Sequence, residues 1–290
     1  MRSRSSTSGL ASLIGASILW AFSFGLIATY LKGIDSYLVA FIRLSLSLLL
    51  FLPFVRLRGV TLWTALQLAG IGAIQYGLMY VAYIRSYQYL AGHQVALFTI
   101  FTPLYVVLVD GLGRRQLEKR LVAAALLAIA GAGFIVFQMP DRTVALRGIG
   151  LLQIANLAFA FGQVAYRRLR QQMPSTLRDR DVFGLLFVGG AALAAVVCTL
   201  GGGWSGVALS RQQMTVLLYL GLVPSGIGFF LWNRGACLVN AGTLAAMNNI
   251  KIPLAVLATI ILFHEQADLV RLLVGGGVML LAVWLAERRG

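Results

Sequence analysis

Carboxylates, histidines and cysteines are all scarce in this chain, which has nine Asp and Glu, two His and two Cys among 290 residues. No Asp or Glu falls near the middle of a long apolar stretch, Asp110 being at the end of its own, so a carboxylate proton relay through the interior is not expected. His264-Glu265-Gln266 lacks the second histidine of a zinc-binding HExxH helix. No Ser, His and Asp share a depth in the apolar segments, so neither catalytic residues, a metal site nor a cofactor is expected. Cys198 and Cys237 belong to separate segments and form no CxxC pair, so they carry no redox signature. Long polar connections are missing as well, which leaves no room for a soluble domain and removes most enzyme classes.

What is abundant is apolar surface. Hydrophobic residues make up 59% of the chain, charged residues 11%, and the mean hydropathy is +0.85, beyond what a soluble domain of this size buries or exposes. Charges, Gly/Pro clusters and polar runs cut the sequence into ten apolar segments, at about 10–31, 36–55, 64–84, 91–110, 120–138, 148–168, 182–201, 213–233, 241–262 and 268–287. Each is close to the roughly 20 residues that cross a bilayer core as a helix. Arg2 and Arg4 precede the first run as in a signal peptide, but that run has no small-x-small cleavage site and stays as the first span.

The net charge of +15 is a matter of topology, and no nucleic-acid partner is expected. With ten spans, sixteen Lys and Arg lie on the side that holds both termini, against six on the other. The positive-inside rule then puts both termini in the cytoplasm.

The chain also repeats itself. Ala91, Gly92, Ala96, Ile100, Pro103, Leu104 and Val106 recur as Ala241, Gly242, Ala246, Ile250, Pro253, Leu254 and Val256, seven identities in 21 positions at an offset of 150. Trp20-Ala21-Phe22 corresponds likewise to Phe159-Ala160-Phe161. Five spans per half is an odd number, so the second half must insert upside down relative to the first. The expected fold is an all-α integral membrane protein of ten transmembrane helices in two inverted five-helix repeats. These are residues 1–137 and 148–290, joined by a loop at 138–147. That is the architecture of secondary transporters, which hold substrate near the midplane between the repeats.

Lys251 is the residue most out of place. It lies about ten residues, roughly 15 Å of rise, from either end of its span, too deep to snorkel to the headgroups, and a charge there costs about 3 kcal/mol on insertion scales. Such a lysine marks a substrate path or else ties helices together. Asn248, three residues earlier, shares its helix face. The other candidates for substrate contact are Trp20 in the first span, the phenols of Tyr76, Tyr80 and Tyr83 in the third, and Asn156 and Gln163 in the sixth. Tyr76, Tyr80, Tyr83 and Tyr87 follow i, i+4, i+7, i+11 spacing and form one stripe. Asn156 and Gln163 read equally as cavity lining or as interhelical bonds. Pro103 and Pro253 are expected to break the fourth and ninth spans, each by removing an amide donor. Arg43 lies within snorkelling reach of its helix end and reads as structural. Ala124, Ala128 and Ala132, and Gly275 to Gly277, permit close helix contact within or between protomers, leaving a homodimer open.

These features together resemble the EamA family of the drug/metabolite transporter superfamily over nearly the whole chain. They are Trp20-Ala21, Phe41-x-Arg43, the segment from Ala96 to Pro103-Leu104, and its second copy from Ala246 through Pro253-Leu254 to Glu265. The acid found after the family's repeat proline is present as Glu265, whereas the first half carries Arg115. The resemblance implies ten helices in a bacterial inner membrane and export of small metabolites, aromatic or other neutral amino acids being the nearest fit. Lys251 with Asn248 would hold a carboxylate, and the rings of Trp20, Tyr76, Tyr80 and Tyr83 an ammonium. Lys251 is alternatively the carrier of a coupling proton. Other organic anions or amphipathic drugs are the alternative cargo; a channel and an enzyme are the alternatives in kind.

Overall fold

The computed structural model describes residues 2–90, 95, 98–114, 119–136, 142–204, 208–252, 254 and 269–287. Pro253, Glu265, Arg115, His93 and His264 lie outside the described residues. All regular structure among those described is helical. α1 runs Arg2–Tyr30, α2 Ser36–Phe51 and α3 Leu62–Gly72, which passes through a π-helical stretch, Ala73–Leu78, into α4, Met79–Ser86. After a 3₁₀ turn at Thr99–Phe101 come α5, Thr102–Arg114, and α6, Lys119–Val136. α7 covers Arg142–Gln172 and α8 Asp179–Leu200. α9, Arg211–Leu220, leads through a second π-helical stretch, Gly221–Gly228, into α10, Phe229–Leu238. α11 is short, Ala241–Met247, and α12 spans Leu269–Glu287.

Among the described residues, six helical runs are long and apolar enough to cross a membrane: Thr7–Tyr30, Ser36–Phe54, Leu62–Ser86, Leu146–Gln172, Asp179–Leu200 and Arg211–Leu238. Thr99–Gly113 and Leu273–Ala282 are shorter apolar helices. The chain is a multi-pass membrane protein. α7 begins at Arg142, inside the stretch expected as a connecting loop, so the sixth helix is longer than its apolar core.

Local chemistry sets the helix starts. The Asp35 carboxylate accepts from the amides of Tyr37 and Leu38 at the head of α2, and Asn240 Oδ1 from Thr243 at the head of α11. Ser210 and Gln213 cap α9 reciprocally. Gly72 and Gly189 let α3 and α8 touch backbone to backbone, because a Cβ on Gly72 would fall on the Leu186 carbonyl and one on Gly189 on that of Ala69.

The helices sort into two packing groups, joined where α5 packs on α7. α1 packs on α10, α2 and α3 on α8, and α4 on α7. α6 packs on α12, and α11 on α5, α6 and α12. Ala124 and Ala128 are buried within the chain, so two residues of the α6 alanine stripe are already used in its own packing. The second group holds both discontinuous helices.

Those discontinuities differ from the expectation at Pro103. This proline does not interrupt a helix; it sits in the first turn of α5, where a missing amide hydrogen breaks no intrahelical bond. The break is the 3₁₀ turn just before it. In the second half α11 ends at Met247, and Asn248 to Ile250 form a turn before helical Lys251 and Ile252. The two breaks meet: Asn249 Nδ2 donates to the Ile100 carbonyl at 2.9 Å.

Candidate functional site

Between the two groups lies a cavity of about 70 Å³. α1 supplies Trp20, Ser23, Phe24 and Ile27 to its wall, α2 Arg43, α4 Met79, Tyr80 and Tyr83, α7 Ala155, Asn156 and Phe159, and α10 Phe229. From the broken segments come Thr99, Thr102 and Lys251. Arg43 and Lys251 are the two basic residues left once those at the ends of the spans are set aside. Both face this space, and among the described residues no carboxylate lines it.

Lys251 is 8% exposed, its Nζ 5.7 Å from the centre of the Trp20 ring and 5.9 Å from that of Phe159. Both distances are within reach of cation–π attraction. Among the described residues it has no hydrogen-bond or ion-pair partner, which rules against a mere tie between helices. The turn at Asn248 to Ile250 puts the ammonium at the start of a helical stretch rather than in a continuous helix wall. Trp20 is fixed from behind: its Nε1 donates to the Pro224 carbonyl at 2.8 Å, and its ring packs on Phe159, Phe229 and Trp232.

Arg43 does not snorkel. Only 2% exposed, it turns inward, donating from Nη2 to Tyr80 Oη at 2.7 Å and from Nε to Ser225 Oγ at 3.2 Å. Ser225 spends its own hydrogen on the Leu220 carbonyl at 2.6 Å, so the Tyr80 hydroxyl donates to Ser225 Oγ at 2.9 Å. The guanidinium carbon lies 4.5 Å from the centre of the Tyr80 ring. Nη1 is buried without a partner. Depth along a helix gave the distance from Arg43 to the nearest end but not the direction of its side chain; the presence of Tyr80 and Ser225 at similar depth was the available signal.

Of the residues singled out from the sequence, the cavity gathers Lys251, Trp20, Tyr80, Tyr83 and Asn156. Tyr83 bonds Tyr87 hydroxyl to hydroxyl at 2.7 Å. Asn156 Nδ2 donates to the Phe98 carbonyl at 2.7 Å, holding the broken segment beside the cavity.

Tyr76, Gln163 and Asn248 do not line the cavity, and each departure has a cause. The π-helical stretch Ala73–Leu78 takes more residues per turn than an α-helix, so the stripe read at 3.6-residue spacing loses register across it. Tyr76 consequently turns away and stacks between Phe187 and Phe229, with ring centres 5.1 and 4.6 Å apart. Asn248 does not act alongside Lys251, because the turn between them abolishes their common face. It donates to the Leu244 carbonyl at 2.8 Å and to Gln163 Oε1 at 3.3 Å. Gln163 also accepts from Trp232 Nε1 at 2.8 Å and is wholly buried. Gln163 and Asn248 thus make the interhelical bonds. Phe159, Phe229, Thr99 and Thr102 are cavity residues that the sequence reading passed over, the first although it had been paired with Trp20 as a repeat mate.

The sequence matches the EamA-like transporter family over residues 7–137 and again over residues 146–287. A "Biotin transporter" of Salmonella typhimurium is 39% identical over 283 residues, 96% of this chain and 93% of that protein. A "Probable biotin transporter" of Pseudomonas aeruginosa is 40% identical over 274 residues, 94% of this chain and 96% of that one. A solved crystal structure, 19% identical, superposes with a TM-score of 0.74 and covers 99% of this chain and 98% of that one, showing the same fold. With the cavity described and two successive matches spanning nearly all its length, the chain belongs to the EamA-like transporter family.

Proposed function

We propose that the protein is an alternating-access carrier for a small amphipathic carboxylate of the biotin type. The observation that carries this reading is Lys251: a buried ammonium without a partner among the described residues, beside two aromatic faces in a cavity between the packing groups. A buried charge left unpaired is expensive, and a substrate carboxylate offsets that cost on binding through a short, charge-assisted contact. The remaining apolar wall, Phe24, Ile27, Met79 and Phe229, then covers the apolar body of the substrate. Relatives named for biotin support the choice of cargo.

The amino-acid exporter expected from the sequence fits less well. An amino acid brings an ammonium as well as a carboxylate. The described cavity wall offers it two cations and no acid, and the Trp20, Phe159 and Tyr80 faces are already taken up by Lys251 and Arg43. A net anion is the better match.

Two inverted halves, 1–137 and 148–290, supply the moving parts in this reading. Three observations support them: the double family match, the two π-helical stretches about 150 positions apart, and the contact of Asn249 with Ile100. The basic bias of one end supports an inner-membrane orientation with both termini in the cytoplasm.

Counterflow in proteoliposomes tests the reading. Saturable entry of labelled biotin, accelerated by unlabelled biotin inside and not by phenylalanine, is the expected result. Acceleration by phenylalanine alone would return the protein to amino-acid export, linear conductance would indicate a channel, and product formation an enzyme.

A further inference from the structure

Resting on the carrier reading above, we propose that Arg43 is a second substrate contact, one that recognises an uncharged carbonyl at the end of the cargo remote from its carboxylate. The two cavity cations differ in what they have left to offer. Lys251 has all three ammonium hydrogens free among the described residues and can meet a carboxylate by itself. Arg43 has committed Nε to Ser225 and Nη2 to Tyr80, so the two-pronged grip that a guanidinium gives a carboxylate is already spent. Only Nη1 is without a partner. A single fixed donor in a wall suits a single acceptor such as a urea or amide oxygen.

A chain of ring contacts links the two cations. From Lys251 the row passes to Trp20, then to Phe229 at 5.2 Å, then to Tyr80 at 5.5 Å, over whose ring Arg43 sits. A molecule with a carboxylate at one end, an apolar middle and a carbonyl at the other matches that order of cation, rings and cation. Biotin has this layout, with its ureido oxygen opposite the valerate carboxylate. The cations belong to different halves, Arg43 to 1–137 and Lys251 to 148–290, so such a ligand bridges the parts that move in the carrier reading. A simple fatty carboxylate satisfies Lys251 and leaves Nη1 bare, and the site discriminates against it.

The test is competition against labelled biotin on the full chain in nanodiscs. The probes are biotin, its carboxamide, and 2-iminobiotin, which presents N–H groups where biotin has the ureido oxygen. Wild type is expected to prefer biotin to 2-iminobiotin by about tenfold or more, as for a hydrogen bond to a charged group. Arg43→Gln should reduce that preference to about twofold while leaving the preference for biotin over its carboxamide intact. Tyr80→Phe keeps the charge but releases the fork, and should reduce the 2-iminobiotin preference partially; it serves as well if Arg43→Gln does not fold. An unchanged biotin to 2-iminobiotin ratio in a folded variant overturns the role of Arg43 alone. Failure of wild type to prefer biotin over its carboxamide overturns the carrier reading, and this inference with it.

Discussion

The Trp20 indole donates its hydrogen to the carbonyl of Pro224, 2.8 Å away and 204 residues further along the chain. Pro224 lies in the π-helical stretch before α10, where carbonyls are diverted from the helix ladder: that of Leu220 accepts from Ser225 and that of Gly221 from Ser47. One bond therefore both satisfies an irregular backbone and orients the ring over which Lys251 sits. Trp20→Phe keeps a ring and removes the bond. It should destabilise the protein by about 1 kcal/mol and weaken substrate binding through a looser ring, read as a lower thermal midpoint in detergent. An unchanged midpoint would mean that the bond contributes nothing.

Helix contact through bare backbone predicts a contrast between two neighbouring glycines. Gly72→Ala drives a methyl into the Leu186 carbonyl, and neither backbone can yield without separating α3 from α8. A loss of about 1 to 3 kcal/mol is expected, the range for overpacking. Gly70→Ala on the same helix meets nothing within 4 Å and should be neutral or stabilising by up to about 1 kcal/mol. Thermal unfolding of the pair checks this; equal effects would contradict the packing described.

Gln75 and Asn233 exchange two amide bonds between α4's π-helical lead-in and α10, of 2.8 and 3.1 Å, and Asn233 donates also to Tyr76 Oη at 2.9 Å. Removing either partner leaves a buried amide unsatisfied, whereas replacing both leaves none of the pair. A double-mutant cycle with Gln75→Leu and Asn233→Leu should therefore show coupling of about 1 kcal/mol, within the range for bonds between membrane helices. Strict additivity would show that the pair does not act as a unit.

The sequence made some of this site legible and hid the rest for identifiable reasons. A lysine in an apolar run is visible without coordinates, because nothing in the surrounding composition can hide a charge, and Trp20 stood out at the centre of its segment. Tyr76 and Asn248 were misplaced because face arguments assume 3.6 residues per turn, and both positions adjoin backbone that departs from it. Arg43 reads from the sequence as a structural, snorkelling residue because its partners, Tyr80 and Ser225, come from 37 and 182 residues away. Pro103 signalled an irregularity correctly in kind but opens a helix rather than breaking one.

The central claim is that the Lys251 ammonium binds the carboxylate of the cargo, and equilibrium binding of biotin to purified wild type and Lys251→Met addresses it without the complications of flux. Methionine keeps the length and apolar stem of the side chain while removing its charge, so the wall keeps its shape. A charge-assisted contact of about 1.5 to 3 kcal/mol predicts that the variant binds biotin about ten- to a hundredfold more weakly, with binding of the biotin carboxamide little changed. Equal affinity of both proteins for biotin would contradict the account.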